Sequence, residues 1–363
     1  MIIYFSILTL GCIAGYFDVF KNLRKYRKLI LYAIIIILTI FVASRSNTPD
    51  YLNYKKAFTE VSTNISDVFI EAKKTNMEVG YIFLNIIFKN IINNFELFSF
   101  FIAFITIFLT FKAYEKLSIY PLISILIYIS YLFLLQPMTQ IRNALALSII
   151  LNALVYVEKK QLLKYILMVF FASLFHISSI IFLPVFFFNK IKLNKEVSYI
   201  IFFSLIILLL SSNFNILILK FAKILPRENI ISRKIIYYYY SQSYGSGLEG
   251  FSVRVLLSMF ILFLTIFFEG ILRKKLKYYN LILILLFGSF FFRLYSSHFS
   301  IMLRLANVFG VIEPIILPSF LLLFKNRFLK LIYIMLLDAY CFFSMFSVLK
   351  ADPRFLEYKN ILF

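Results

Sequence analysis

The sequence predicts an all-α polytopic integral membrane protein with about twelve transmembrane helices and extracytoplasmic loops. Three observations predict it. Of the 363 residues, 62% are hydrophobic and 15% are charged, whereas a soluble domain carries about 45–50% apolar and about 25% charged residues. Near-continuous apolar runs such as Leu29–Val42 and Leu329–Leu349 reach spanning length once their flanks are counted. The net charge of +21 sits in short clusters between these runs, as in membrane loops. A nucleic-acid binder would gather it on one wet face. A soluble enzyme is excluded, and runs such as Ile34–Ile37 lack the alternation of a transmembrane β-barrel.

In chain order the predicted spans are 2–20, 29–43, 97–111, 119–136, 140–157, 162–175, 177–189, 197–212, 251–269, 279–295, 301–323 and 329–349. The first lacks a basic leader and a small-residue cleavage site, so it reads as a retained span. Six short loops, at 21–28, 112–116, 159–164, 190–195, 273–277 and 325–330, hold 20 of the 38 Lys and Arg residues. The positive-inside rule places all six in the cytoplasm. Both termini then lie outside, with outer segments at about 44–96 and 213–250. Residues 1–363 read as a single multi-span membrane domain. Two segments must adapt to this arrangement. Residues 78–94 enter part-way, as a half-buried or re-entrant helix after Glu78, and 162–189 form a hairpin of two short arms. Residues 214–224 are apolar with Lys220 and Lys223, an interfacial helix. Tyr237–Tyr240 and Tyr244–Gly250 suit either sugar rings or an anchor in the headgroup layer.

With that orientation, several costly residues share the outer side: Arg45, Arg142, Arg254, Arg293 and Arg304, together with Glu78, His176, His298 and Glu313. The positive-inside rule does not predict arginines there. Each one alone is explained by snorkelling to headgroups; five on one side point to an anionic group at headgroup depth. A guanidinium offers five donors in a rigid fork that matches phosphate oxygens. Asp18 and Asp338 are embedded but lie away from this cluster, and read as structural partners. Cys12 and Cys341 form no disulfide framework, and two distant histidines form no zinc site. No paired carboxylates at metal-ligand spacing and no glycine-rich nucleotide loop appear. The sequence therefore predicts no metal, no cofactor and no nucleic-acid partner.

At these residues the chain resembles the EpsG family of Wzy-type polymerases, membrane proteins that polymerise O-antigen, capsule or exopolysaccharide repeat units. Thr48-Pro49-Asp50 with Tyr54 and Phe58 is similar to the family's G-x-D-x-x-x-Y-x-x-x-F, with Thr48 in place of Gly. Glu78-Val79-Gly80-Tyr81 resembles E-x-G-Y, and Gln140-Ile141-Arg142-Asn143-Ala144-Leu145-Ala146 resembles I-R-Q-x-x-A, with Asn143 for Gln. Ala172 through Phe175-His176 to Ser178, followed by Pro184, resembles A-x-x-F-H-x-S. Arg304 to Phe309 resembles R-x-x-x-Y/F. The pieces keep the family's order over about residues 45–310.

The resemblance implies glycosyl transfer in a bacterial inner membrane. A growing glycan on polyprenyl pyrophosphate is donor, and a lipid-linked repeat unit is acceptor. Membrane lipids are further partners, and a chain-length regulator fits as a protein partner. Arg142, Arg304 and Arg45 are the expected pyrophosphate ligands. His176, Asp50 and Glu78 are the candidates for the base, with His176 leading because its ordinary pKa of about 6.5 lies near the working range. Tyr54, Tyr81 and Gln140 are expected beside the sugars. A lipid-linked oligosaccharide flippase is the rival from another class, and an O-antigen ligase the rival enzyme. A flippase would spread its arginines over several depths and show internal repeats; the arginines here gather on one side, and no repeat is visible.

Overall fold

A computed structural model describes residues 1–46, 48, 50–210, 220, 224, 253–295 and 300–355. The 213–250 segment, apart from Lys220 and Ile224, and His298 lie outside the described residues. Among the described residues every regular element is helical. Its helices are α1 (Ile2–Val19), α2 (Arg27–Ala43), α3 (Tyr51–Glu60), α4 (Val68–Thr75), α5 (Val79–Ile91), α6 (Phe95–Leu117), α7 (Pro121–Ile127), α8 (Phe133–Leu135), α9 (Ile141–Glu158), α10 (Leu162–Ser173), α11 (Val185–Phe188), α12 (Lys195–Leu210), α13 (Val253–Phe267), α14 (Glu269–Lys275), α15 (Tyr279–Leu294), α16 (Ser300–Phe309), α17 (Glu313–Ser319) and α18 (Arg327–Ala351). Each of the twelve predicted runs thus corresponds to a helix or a short series of helices.

Among the described residues, six helical stretches are long and apolar enough to cross a bilayer, or seven if α13 and α14, bent by 79°, count as one. Other apolar helices are shorter, at 10–17 residues. A π-helical turn at Tyr128–Leu132 separates α7 from α8. The predicted 162–189 hairpin turns at Leu174–His176, and its second arm is a 3-10 helix, Ile177–Phe182, leading into α11. Tyr165 Oη donates to the Phe182 carbonyl at 2.6 Å, tying the two arms. Helix α5 has 13 residues, about 20 Å at 1.5 Å per residue, against about 30 Å of hydrocarbon.

The chain packs as two compact units, Met1–Phe186 with Leu317–Phe363, and Phe187–Ile316. In the first, α9 is enclosed by α6 and α10, and every residue from Asn143 to Leu151 is buried. Asn152 Nδ2 reaches the Leu109 carbonyl of α6 at 2.8 Å. Asp18, fully buried, pairs with Arg27 Nε at 2.7 Å and accepts the Leu122 and Ile123 N–H groups at 2.6 and 3.3 Å. It thereby caps α7, whose first residue is Pro121, as a short acceptor caps any helix start. Asp338 accepts from Tyr16 Oη at 3.4 Å.

The α3 stretch packs on α5 and α6. Lys89 Nζ donates to the Thr59 and Val61 carbonyls, both at 2.7 Å, and Lys55 pairs with Glu96 at 2.8 Å. In the second unit Asn280 binds the 189–193 loop from the start of α15. Arg273 donates to the Leu193 carbonyl, so two of the six basic loops are held side by side.

Candidate active site

The start of α9 holds the first functional side chain in place. Because that helix is buried on all sides, the position of Arg142 in its first turn is rigidly set. Arg142 Nη1 forms an ion pair with Glu78 Oε2. Its guanidinium lies over the Tyr54 ring, 5.8 Å from the centroid, a cation–π contact. The Tyr54 and Tyr81 rings meet edge-on at 5.7 Å. Burial pushes the Tyr54 phenol up, against the pull of Arg142, so Tyr54 stays a neutral hydroxyl.

Glu78 occupies the N-cap of α5, yet its side chain makes no cap bond to its own helix. It reaches outward instead, to Arg142 and to the Ile177 N–H at 3.3 Å. Gly80 makes this reach feasible. Its N–H donates to the Leu174 carbonyl at 2.8 Å, and a Cβ there would stand 2.7 Å from the same oxygen. Only glycine lets the α5 backbone lie directly on the end of α10. That contact delivers Glu78 to the tip of the hairpin, where His176 caps the 3-10 helix. His176 Nδ1 accepts the Ser178 N–H at 3.4 Å and lies 2.6 Å from Ser178 Oγ. Both contacts are satisfied when Nδ1 carries the lone pair and Nε2 the hydrogen. A neutral His176 is then a donor at Nε2.

Arg45 is 2% exposed. Its Nε donates to Thr48 Oγ1 at 3.0 Å and its Nη1 to the Val42 carbonyl, so it closes the C-terminal end of α2. Thr48, which replaces the family's glycine, supplies an acceptor that glycine lacks. Asp50 is exposed at the start of α3 with φ 64°, a left-handed conformation that aspartate tolerates better than most residues. Its charge opposes Arg142 in acting on Tyr54. Gln140 Oε1 accepts from Asn143 Nδ2 at 3.1 Å.

Eight of the nine predicted site residues thus belong to the first unit. Six of them, Arg45, Asp50, Tyr54, Glu78, Tyr81 and Arg142, are linked by ring contacts, hydrogen bonds or mutual electrostatics. His176 adjoins Glu78 through the Ile177 amide. The ninth, Arg304, is exposed on α16 in the second unit. There Arg293 and Glu313 pair at 2.9 Å, 2% and 4% exposed, with Ser289 against the same carboxylate at 3.2 Å. Among the described residues no three His, Cys, Asp or Glu side chains come together as metal ligands.

The Arg142 side chain also bonds Tyr54, and Tyr81 bonds Asn85, but the buried Arg142 Nε–H has no acceptor among the described residues. Such a group costs free energy unless a ligand or water meets it. Beside this cluster a cavity of about 460 Å³ opens between Met77–Val79, α10 and the 3-10 helix, with Glu78 in its wall. Sequence reasoning did not find the contact of Gly80 with Leu174 or the capping role of Ser178. The E-x-G-Y and H-x-S spacings were the available signals.

The chain matches none of the curated proteins and none of the solved structures with which it was compared. A family model does match, over residues 2–360, and its description is the EpsG family. With nearly its whole length matched, the chain belongs to the EpsG family, as a multi-pass membrane protein of polysaccharide biosynthesis.

Proposed function

We propose that this protein is a glycosyltransferase that polymerises a surface glycan. It joins polyprenyl-pyrophosphate-linked repeat units at the outer face of the bacterial cytoplasmic membrane. The observation that carries this reading is the cluster around Arg142. In an EpsG-family chain, a guanidinium set at the start of a buried helix keeps an Nε–H that has no acceptor among the described residues, as an oxygen-rich anionic substrate requires.

In this reading the acceptor hydroxyl attacks the anomeric carbon of the donor glycan. The new C–O bond forms as the bond to pyrophosphate breaks, and the bonding pair leaves on the lipid pyrophosphate. Arg142 stabilises the charge that develops there, the kind of preorganised interaction that dominates many transfer reactions. Its engagement by pyrophosphate loosens the pair with Glu78. The freed carboxylate is then placed to take the hydroxyl proton. His176 acts as an Nε2–H donor to a substrate oxygen, and Asp50, exposed at the start of α3, is the alternative base. Arg304 enters through its motif alone. No step calls for a metal ion.

Deleting the gene and resolving the surface glycan on a gel tests the reading. Single-repeat glycan is expected. Complete loss of surface glycan would indicate a flippase, and full-length polymer left on its lipid carrier a ligase.

A further inference from the structure

We infer that the groove between α10 and the 3-10 helix holds the hydrocarbon tail of the lipid-linked substrate whose pyrophosphate meets Arg142. The inference rests on the polymerase reading and adds to it the path of the lipid.

The groove has two straight apolar walls. On α10 the lining positions are Ile166, Val169 with Phe170, and Ser173 with Leu174, three to four residues apart and so on one helical face. They extend about 12 Å along the axis. The opposite wall is Ile177, Ile180 and Leu183. A 3-10 helix has three residues per turn, so side chains three apart stand in line. An α-helix there would have wound this row around its axis. Both rows start at the hairpin tip and run towards the Tyr165–Phe182 clasp.

Only the tip end is polar. There Met77–Val79 closes the groove, and Glu78 is its one charged lining residue. That carboxylate is already neutralised by Arg142, whose Nε–H has no acceptor among the described residues. The combined shape is an ion-paired polar end, with Arg142 behind Glu78, continuous with an apolar channel. The volume of about 460 Å³ lies within the usual range of about 300–1,000 Å³ for ligand pockets. A molecule with an anionic head and a long hydrocarbon tail complements both parts at once. A free phosphate would leave the channel empty, and a neutral lipid would leave Arg142 unmet.

The test uses the full-length protein in membranes with two substrates: repeat units on a full-length polyprenyl pyrophosphate, and the same units on a two-isoprene tail. Ser173→Phe and Ile180→Trp fill the groove from its two walls. Leu163→Trp adds similar bulk on α10 outside the lining, at an exposed position. Displacing even about two methylene groups costs about tenfold in affinity. The two filling variants are therefore expected to raise KM for the long-tailed substrate by about tenfold or more, with kcat and use of the short-tailed substrate unchanged. Leu163→Trp should change neither substrate. Equal losses on both substrates, or no loss on either, would overturn the groove assignment.

A photoreactive residue at Ile177 gives a readout that does not need turnover. It should crosslink labelled polyprenyl pyrophosphate, and unlabelled polyprenyl pyrophosphate should compete while phospholipid does not. Equal competition by phospholipid would mean that bulk lipid fills the groove, and would overturn the inference. If wild-type protein crosslinks specifically yet polymerises neither substrate, the polymerase reading fails and the groove stands.

Discussion

Two arginine–glutamate pairs, one in each compact unit, are made of the same groups and differ in their surroundings. Arg293 and Glu313 are 2% and 4% exposed. Gly310 leaves room for them, because a Cβ there would come within 3.2 Å of Arg293 Nη2, and Ser289 shares the carboxylate. Arg142 and Glu78 are 20% and 19% exposed. Glu78 also lines a cavity. A sealed pair has no route by which to exchange partners. A pair at the rim of a cavity can release one partner for a ligand, which is what a site requires. Pairing alone, then, does not set Arg142 apart from Arg293; in the proposed reading the opening beside Glu78 does.

The comparison can be broken most forcefully in the sealed pair. Glu313→Leu should cost about 3–5 kcal/mol, because it strands a buried guanidinium. The amount of folded protein in the membrane should collapse, and Arg293→Met combined with Glu313→Leu should restore most of it. Quantitative blotting of membranes checks this. Recovery of protein without recovery of polymer would show that the second pair also takes part in catalysis.

Arg142→Lys is next in size. Lysine keeps the charge and loses the planar fork, so polymerisation should fall by about 10²–10³, the usual effect of removing a transition-state donor. Membrane levels should stay normal and the glycan should be single-repeat. Full-length polymer would move Arg142 to the same structural class as Arg293.

Gly80→Ala should follow. The added methyl meets the Leu174 backbone, and overpacking of that kind costs about 1–3 kcal/mol. Because α5 must lift from α10, Glu78 should shift with it, so activity should drop more than protein level. Equal drops would make Gly80 a packing residue only.

Excess EDTA should have no effect at all on polymer length made by purified protein from lipid-linked repeat units. Abolition by EDTA with rescue by magnesium would overturn the metal-independent reading.

The helices were legible because their apolar runs must hide backbone and side chains from water, whatever the neighbours. The first cluster was legible in part, since Glu78, Arg142 and His176 each begin or end a helix within a recognisable spacing. What the sequence hides is pairing over distance. Arg293 and Arg142 look alike as arginines at the ends of apolar runs. The sealed carboxylate of one and the open groove of the other arise only when separate helices pack. Thr48 is a similar case. As a letter it is a departure from the glycine of the family pattern, and as a side chain it is the acceptor for Arg45. His176 is a third case, because the cap its Nδ1 makes to the next turn of backbone appears only in the folded chain.

Asp18 also has a history during synthesis. Its amide partners on α7 lie 104 residues further along the chain, and at about 5–20 residues per second a ribosome needs about 5–20 s to make them. Over that interval the first helix waits in the insertion machinery with a carboxylate that lipid will not accept. Arg27, in the same early stretch, is the partner that reaches it first. The local ion pair serves as a temporary escort, holding the first two helices until the start of α7 arrives to complete the capping.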